Sequence, residues 1–178
     1  MKKISLIFCS TVGIMNPAVA ETTASHCTGN ENTVFTCNLN NKKVVSLCST
    51  KKASNDSGYL QFRFGEIGKI QLFIPKSKSG IPKLSLLYTN DKFLEINKVA
   101  IINKPFTYNI ESYRQLKKTN KDGYPTTKSS DALNVADSRK TVWEGNITYS
   151  SNCSKLGSKI DAVAIAKLTG IKVEKVLY

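Results

Sequence analysis

Strict alternation of apolar and polar residues on two neighbouring arms constrains this chain more than any other feature. Residues 58–64 and 69–74 both place an apolar side chain at every second position, and Gly65 and Gly68 lie between the two arms. A period of two is typical of a half-buried β-strand, and glycines suit the turn between paired strands. The segment therefore predicts a β-hairpin. Its predicted core-facing residues are Leu60, Phe62, Phe64, Ile70, Leu72 and Ile74.

The opposite side of this hairpin is the candidate binding face. Aromatic, amide and cationic side chains on a rigid sheet can stack on and hydrogen-bond a sugar, a base or another protein. The alternative is that this face simply meets solvent, because one side of an antiparallel sheet is commonly polar. The candidate binding face consists of Tyr59, Gln61, Arg63, Lys69, Gln71 and Phe73.

The rest of the pattern extends the β prediction along the chain. Two β-type runs at residues 33–39 and 42–48 flank Asn40-Asn41, which predicts a hairpin with a two-residue turn. A polar, aperiodic stretch at residues 117–130 predicts a long loop. Further strands are predicted at residues 84–88, 93–102, 106–113, 141–149 and 171–177, with Trp143 in the core.

One segment near the carboxyl end differs from the strands. Between residues 158 and 168, apolar residues and alanines are crowded together, and Gly170 follows them, which predicts one short helix. The predicted fold is therefore mainly β, an antiparallel sandwich or small barrel with one short C-terminal helix and two disulfides.

The first twenty residues have the layout of an export signal. Lys2 and Lys3 precede an apolar run that reaches Met15, and Ala18-Val19-Ala20 supplies small residues for cleavage after Ala20. The apolar run is too short to span a bilayer as a helix, and no transmembrane segment is predicted elsewhere. We therefore expect a signal peptide over residues 1–20, a single β-rich domain over residues 21–178, and a periplasmic or secreted location.

Four cysteines remain after the predicted cleavage: Cys27, Cys37, Cys48 and Cys153. An even number in an oxidising compartment predicts two disulfides, and the spacing does not suit a metal site. With Asn40-Asn41 as the turn, Cys37 lies opposite Val44, about 14 Å along the strand from Cys48, which is too far for a bond between them. Exclusion of Cys37–Cys48 leaves the connectivity open, and the pairing that we favour is Cys27–Cys48 with Cys37–Cys153.

The charge indicates the class of partner. The full chain carries a net charge of +13, and loss of Lys2 and Lys3, with no acidic residue in the signal, leaves +11. Such a surface attracts an anionic envelope polymer or an acidic protein. The cations are 23 lysines and three arginines, a balance that suits nucleic acid poorly, as does the predicted compartment. The alternative is a lysine-rich surface that only confers solubility.

No catalytic constellation, metal site or cofactor motif emerges from the sequence. His26 is the only histidine, and we expect it to be solvated near the new N-terminus. The function predicted is a non-enzymatic exported interaction module that binds an anionic envelope component or an acidic protein. The alternative is a carboxylate-dependent cell-wall (glycan) hydrolase. Its candidate carboxylates are Glu66, Glu95, Glu111, Asp131, Asp137 and Glu144.

The region from about residue 27 to 75 also resembles a family. Two cysteines, Cys37 and Cys48, precede the hairpin sequence GYLQFRFG at residues 58–65. This arrangement resembles that of uncharacterised exported β-rich proteins of proteobacteria. The resemblance implies export and a β-rich fold, and it transfers no catalytic residue and no cofactor to this chain.

Overall fold

The computed structural model describes residues 23–54, 57–90, 93–115, 121, 129–137, 147–156 and 159–175. Within these residues, ten strands form one sheet, and one helix contacts it. The elements are β1 (Glu31–Leu39), β2 (Val44–Thr50), β3 (Leu60–Glu66), β4 (Lys69–Ile74), β5 (Leu84–Asn90), β6 (Leu94–Asn103), β7 (Phe106–Gln115), β8 (Ser129–Asp137), β9 (Ile147–Leu156), α1 (Ala162–Thr169) and β10 (Val173–Lys175). The predicted signal peptide, Trp143 and most of the predicted loop at 117–130 lie outside the described residues.

The sheet is open but strongly curved. Its strand order is β10-β5-β6-β7-β8-β9-β1-β2-β3-β4, so β10 and β4 are its ends and it is not closed into a barrel. The ring centroids of Phe62 on β3 and Tyr108 on β7 are 5.4 Å apart. Five strand spacings, about 24 Å in a flat sheet, separate these strands in the order. The sheet therefore folds over, and its two halves face each other. The mainly β prediction is confirmed, and its barrel variant is wrong.

Both halves of the sheet contribute to one hydrophobic core. Leu60, Phe62 and Ile74 are buried in it as predicted, and Phe64 and Leu72 pack against it half-buried. The other half and the helix contribute, among others, Leu86, Val99, Ile101, Ile110, Leu133 and Ile165.

The two disulfides are Cys27–Cys48 and Cys37–Cys153, so the favoured pairing is confirmed. Their Cα–Cα distances are 5.4 and 5.5 Å. Cys37–Cys153 joins β1 to β9, where the two halves of the sheet meet.

The β1–β2 hairpin has a longer turn than the two residues predicted. The amide of Leu39 donates to the carbonyl of Lys43 at 2.8 Å, so three residues form the loop, and Lys42 adopts the left-handed conformation with φ 66°. This turn places Cys37 opposite Val45, not opposite Val44 as predicted. A bulge between Thr33 and Phe35 then restores the predicted register, with Thr33 opposite Cys48.

The β3–β4 hairpin is confirmed, but one predicted core residue is on the wrong side. The register shifts between Phe64 and Gly65, where Leu72 pairs with Phe64 and Ile70 pairs with Gly65. A bulge changes which side of the sheet the following residues face. Ile70 consequently lies on the same side as Phe73 and lines a surface depression with it, so its predicted inward position is wrong.

The carboxyl-terminal part contains the predicted helix and a short last strand. Helix α1 begins after Asp161, whose carboxylate accepts from the amide of Ala164, and it ends at Gly170 in the left-handed conformation. The strand that follows, β10, pairs in parallel with β5. Strand β8 has no counterpart among the predicted strands, and its first two residues, 129–130, fall in what was predicted to be a loop.

Candidate binding site on strands β3 and β4

The chain segment before β1, residues 23–28, crosses the side of β1, β2 and β3 that faces away from the core. We call it the covering segment. The amide of His26 donates to Ser46 Oγ at 3.0 Å, and Thr36 Oγ1 donates to the carbonyl of Ala24 at 2.9 Å. The Cys27–Cys48 disulfide attaches the same segment covalently to β2. The segment therefore covers side chains of the sheet that the alternation pattern predicts to be exposed.

Beneath this segment lies a buried ion pair between Glu31 and Arg63. The Arg63 guanidinium contacts both carboxylate oxygens, with Nη2–Oε1 at 2.6 Å and Nη1–Oε2 at 2.8 Å. Arg63 Nη1 also donates to the carbonyl of His26 at 2.7 Å. The exposed fraction of each side chain is 2%. This two-pronged contact is the geometry that lets a guanidinium stay buried.

Two further buried residues, and one exposed lysine, contact the pair formed by Glu31 and Arg63. Arg63 Nε donates to Gln61 Oε1 at 2.8 Å, and Gln61 Nε2 donates to the carbonyl of Pro75 at 2.8 Å. The Tyr59 hydroxyl donates to Glu31, and Lys78 Nζ lies 3.0 Å from Glu31 Oε1. We call Glu31, Tyr59, Gln61 and Arg63 the buried ion-pair cluster; the Lys78 side chain, which is 52% exposed, pairs with it from the surface.

The cluster shifts the pKa values of its members. Burial by itself raises the pKa of Glu31, but hydrogen bonds from Arg63, the Thr28 amide, Tyr59 and Lys78 outweigh burial, so the pKa lies well below its usual value. Burial lowers the pKa of Arg63, but the neighbouring carboxylate raises it more. Burial and then Glu31 both raise the pKa of Tyr59. All three shifts keep Glu31 and Arg63 charged and Tyr59 protonated at neutral pH.

His26 is buried, so the prediction that it is solvated is wrong. Its Nε2 lies 3.1 Å from the carbonyl of Val44 and 3.2 Å from that of Gly65. Both neighbours are acceptors, so Nε2 carries a hydrogen and donates. Burial lowers the pKa of His26 most, the two carbonyls raise it, and the Arg63 charge lowers it again, with a net decrease. The neutral imidazole therefore fastens the covering segment to β2 and β3.

Beside His26, an open depression of about 390 Å³ is present on the surface. Phe73 of β4 is 38% exposed, and Ile67 in the preceding turn is 55% exposed. We call it the Phe73 depression; it is lined by Ser25, His26, Ile67, Gly68, Ile70 and Phe73. The covering segment forms one wall, and the β3–β4 turn and β4 form the rest.

The stretch of chain that contains β4 and four of the lining residues is basic. From Glu66 to Lys83 the chain has four lysines and one glutamate, a net charge of +3. Lys69, Lys76 and Lys83 are exposed, whereas Lys78 is paired with Glu31. A depression with exposed apolar side chains, in which Lys69 lies between the lining residues Gly68 and Ile70, suits a partner that is apolar at one point and acidic around it.

The predicted binding face therefore separates into two groups. Tyr59, Gln61 and Arg63 are 8%, 1% and 2% exposed, so their predicted position on an open face is wrong. These three side chains are buried because the Glu31–Arg63 pair holds them together and the covering segment lies over them. Lys69, Gln71 and Phe73 are exposed as predicted. The predicted site residues do not include Glu31, Ser25, His26, Ile67 or Ile70. The signal that could have found the Glu31–Arg63 pair is an arginine in a lysine-rich chain, because arginine suits two-pronged pairing with a carboxylate.

The candidate carboxylates of the hydrolase alternative lie in different settings. Glu95 pairs with Lys159 and Glu111 pairs with Lys98, while Glu66 is exposed at the β3–β4 turn. Asp131 is buried on β8. Glu144 and the side chain of Asp137 lie outside the described residues. The glycan hydrolase stays a prediction. Among the residues that the structure describes, no group of three or more histidine, cysteine or acidic residues is placed to hold a metal ion.

Comparison with family models, curated proteins and solved structures finds no match for this chain. None of the helices formed by the described residues has the length and apolar character to cross a bilayer.

Proposed function

We propose that this chain is an exported, non-enzymatic module that binds an acidic protein through the Phe73 depression. The observation that carries the proposal is a pair of exposed apolar side chains, Ile67 and Phe73, beside a covalently anchored wall and on a lysine-rich stretch of the chain. Interfaces concentrate their binding energy in a few aromatic or apolar residues within well-packed depressions, and charged residues at the rim increase the association rate.

Two features of the chain, its first twenty residues and its disulfides, support export. The first twenty residues have the charged head, apolar run and small-residue end of a cleaved signal. The two disulfides suit an oxidising compartment, and the resemblance of residues 58–65 to hairpins of exported proteins agrees with both. Mass analysis of the protein recovered outside the cytoplasm is expected to find Glu21 as its first residue. An intact chain in the cytosol with titratable thiols would contradict export.

The wall of the depression is preorganised for binding. The Cys27–Cys48 disulfide, the His26 hydrogen bonds and the contact from Arg63 to the His26 carbonyl all fix residues 25–27. A partner therefore does not need to order this segment on binding, and the entropy cost of association is lower.

An acidic protein suits the depression better than an anionic polymer. A polymer such as a polyphosphate or acidic glycan offers charge but no apolar side chain to contact Phe73, Ile67 and Ile70. Attraction by exposed lysines alone is largely screened above about 0.3 M salt, whereas an apolar contact persists. Binding that survives raised salt and depends on Phe73 therefore distinguishes the two.

The experiment compares two single variants of similarly exposed phenylalanines. Phe73 is 38% exposed and Phe106 on β7 is 40% exposed. The wild-type protein is used above about 0.3 M salt to isolate a partner from the host's extracytoplasmic fraction. The purified partner is then titrated with each variant. Phe73→Ala is expected to weaken binding at least about tenfold, and Phe106→Ala is expected to change it less than about twofold.

Three outcomes would contradict the proposal. One is that no partner survives raised salt. Another is equal sensitivity to Phe73→Ala and Phe106→Ala. The third is an anionic polymer that is recovered only when the isolation is repeated below about 0.3 M salt and whose binding does not respond to Phe73→Ala, which would identify the anionic envelope component as the ligand.

A further inference from the structure

A second depression, of about 590 Å³, lies where β5 and β6 meet the residues that begin α1. This volume is within the range of small-molecule sites. We call it the Glu95 depression; its lining residues are Tyr88, Glu95, Asn97, Lys159, Asp161 and Val163. The lining combines an aromatic ring with an amide, an ammonium group and two carboxylates.

Hydrogen bonds hold the polar side chains of this lining in place. The amide nitrogen of Asn97 donates to Glu95 Oε1 at 3.0 Å, and its oxygen accepts from the backbone of Ala162 at 3.1 Å. Lys159 forms an ion pair with Glu95 Oε1, and Asp161 Oδ1 accepts from the Ala164 amide at 2.9 Å. These contacts engage Glu95 Oε1 and Asp161 Oδ1, whereas Glu95 Oε2 and Asp161 Oδ2 have no hydrogen-bond partner among the described residues.

Unpaired polar groups lie next to the depression in the sheet. Ser112 is directly opposite Asn97 in the β6–β7 register, and Asp131 is opposite Ser112 in the β7–β8 register. Their exposed fractions are 1% and 3%. Ser112 Oγ and both Asp131 carboxylate oxygens have no hydrogen-bond partner among the described residues. Burying polar groups without partners is costly, so such groups commonly bond a bound water or a ligand.

We propose that the Glu95 depression binds a neutral saccharide unit. Sugar hydroxyls both donate and accept, so they match a lining in which carboxylate acceptors alternate with ammonium and amide donors. Tyr88 supplies an aromatic surface for the apolar side of a sugar ring. Glu95 and Lys159 neutralise each other, so this region lacks the cationic excess of the stretch that contains β4. The proposal is independent of the proposed function, because the two depressions share no lining residue.

The test is a titration of the ¹⁵N-labelled protein followed by NMR. The probes are glucose, N-acetylglucosamine and the β-1,4-linked dimer of N-acetylglucosamine. At least one probe is expected to shift the amide signals of residues 88–97 and 159–164 saturably, with a dissociation constant below about 10 mM. Phe73→Ala is expected to leave this binding unchanged.

Two variants test the carboxylates, and a third is their control. Glu95→Gln and Asp161→Asn are each expected to weaken binding about tenfold or more. Asparagine caps a helix as well as aspartate does, so Asp161→Asn is expected to fold. Glu111→Gln disrupts the comparable half-exposed pair with Lys98 and is expected to leave sugar binding unchanged. No saturable shift with any probe, or equal effects of Glu95→Gln and Glu111→Gln, would overturn the proposal.

Discussion

Arg63 is the residue whose position depends most on distant sequence. In an alternating strand, an arginine at an outward position predicts an exposed cation, yet Arg63 is 2% exposed. A guanidinium is buried only where it is paired and hydrogen-bonded. Its partner, Glu31, is 32 residues earlier in the chain, on a different strand.

Breaking this pair is expected to destabilise the fold strongly. Arg63→Met leaves the Glu31 carboxylate buried without its main partner, so the free energy of unfolding is expected to fall by about 3–5 kcal/mol. Urea denaturation at neutral pH measures the change. Lys98→Met, which breaks a half-exposed pair with Glu111, is the control and is expected to cost less than about 1 kcal/mol. Equal losses in the two variants would show that the Glu31–Arg63 pair does not stabilise the protein.

The same carboxylate is expected to make stability depend on acid pH. Because the folded-state pKa of Glu31 is lowered, its contribution is fully present above the unfolded-state pKa of about 4.3 and is lost as the pH falls towards the folded value. The wild-type free energy of unfolding is therefore expected to decline more steeply below about pH 4.3 than that of Glu31→Gln, which has no carboxylate to protonate. Parallel pH profiles of the two proteins would contradict this account.

At the scale of elements, the two ends of the sheet are protected from pairing with another strand. Strand β4 has a register shift, Lys69 at its start and Pro75 directly after it, and β10 has only three residues. Bulges, lysines, prolines and short length all discourage edge-to-edge association. We therefore expect a partner of the Phe73 depression to be recognised by side chains and not by addition of a strand to β4.

The register shift in the β3–β4 hairpin depends on Gly65. A Cβ atom at this position would lie 2.5 Å from the Lys69 carbonyl oxygen and 2.7 Å from the Gln71 amide nitrogen. Gly65→Ala is therefore expected to lower the free energy of unfolding by about 1–3 kcal/mol, measured by thermal or urea denaturation. Gly29→Ala is the control, because a Cβ there has nothing within 4 Å. If Gly65→Ala left the free energy of unfolding unchanged, the hairpin would not require a glycine at this position.

At the scale of the whole molecule, the two disulfides constrain very different lengths of chain. Their sequence separations are 21 and 116 residues. From loop-closure entropy alone, they stabilise by about 3.4 and about 4.9 kcal/mol respectively. Cys37→Ala/Cys153→Ala is therefore expected to lower the free energy of unfolding by about 1.5 kcal/mol more than Cys27→Ala/Cys48→Ala, measured by urea denaturation. The reverse order would show that anchoring the segment before β1 outweighs joining the two halves of the sheet.

The sequence alone determined the strands of the two hairpins and the short helix, and it excluded one of the possible cysteine pairs; the structure decided the connectivity. Each depends on local order: alternation selects a strand, crowded apolar residues before Gly170 select a helix, and register arithmetic excludes a Cys37–Cys48 bond. Alternation also assigned Leu60 and Phe62 to the core correctly. These features follow from neighbours within a few residues along the chain.

Only the tertiary structure decided which polar side chains are buried and which surfaces form depressions. Glu31 pairs with Arg63, Lys159 pairs with Glu95, and the covering segment is hydrogen-bonded to β2 and β3. The partners in these contacts are 20 to 64 residues apart in the chain. The bulge that turns Ile70 outward and the fold that brings Phe62 to Tyr108 likewise depend on how strands meet in space. Both candidate sites arise from such contacts, because residue periodicity specifies the face of a strand but not what lies on that face.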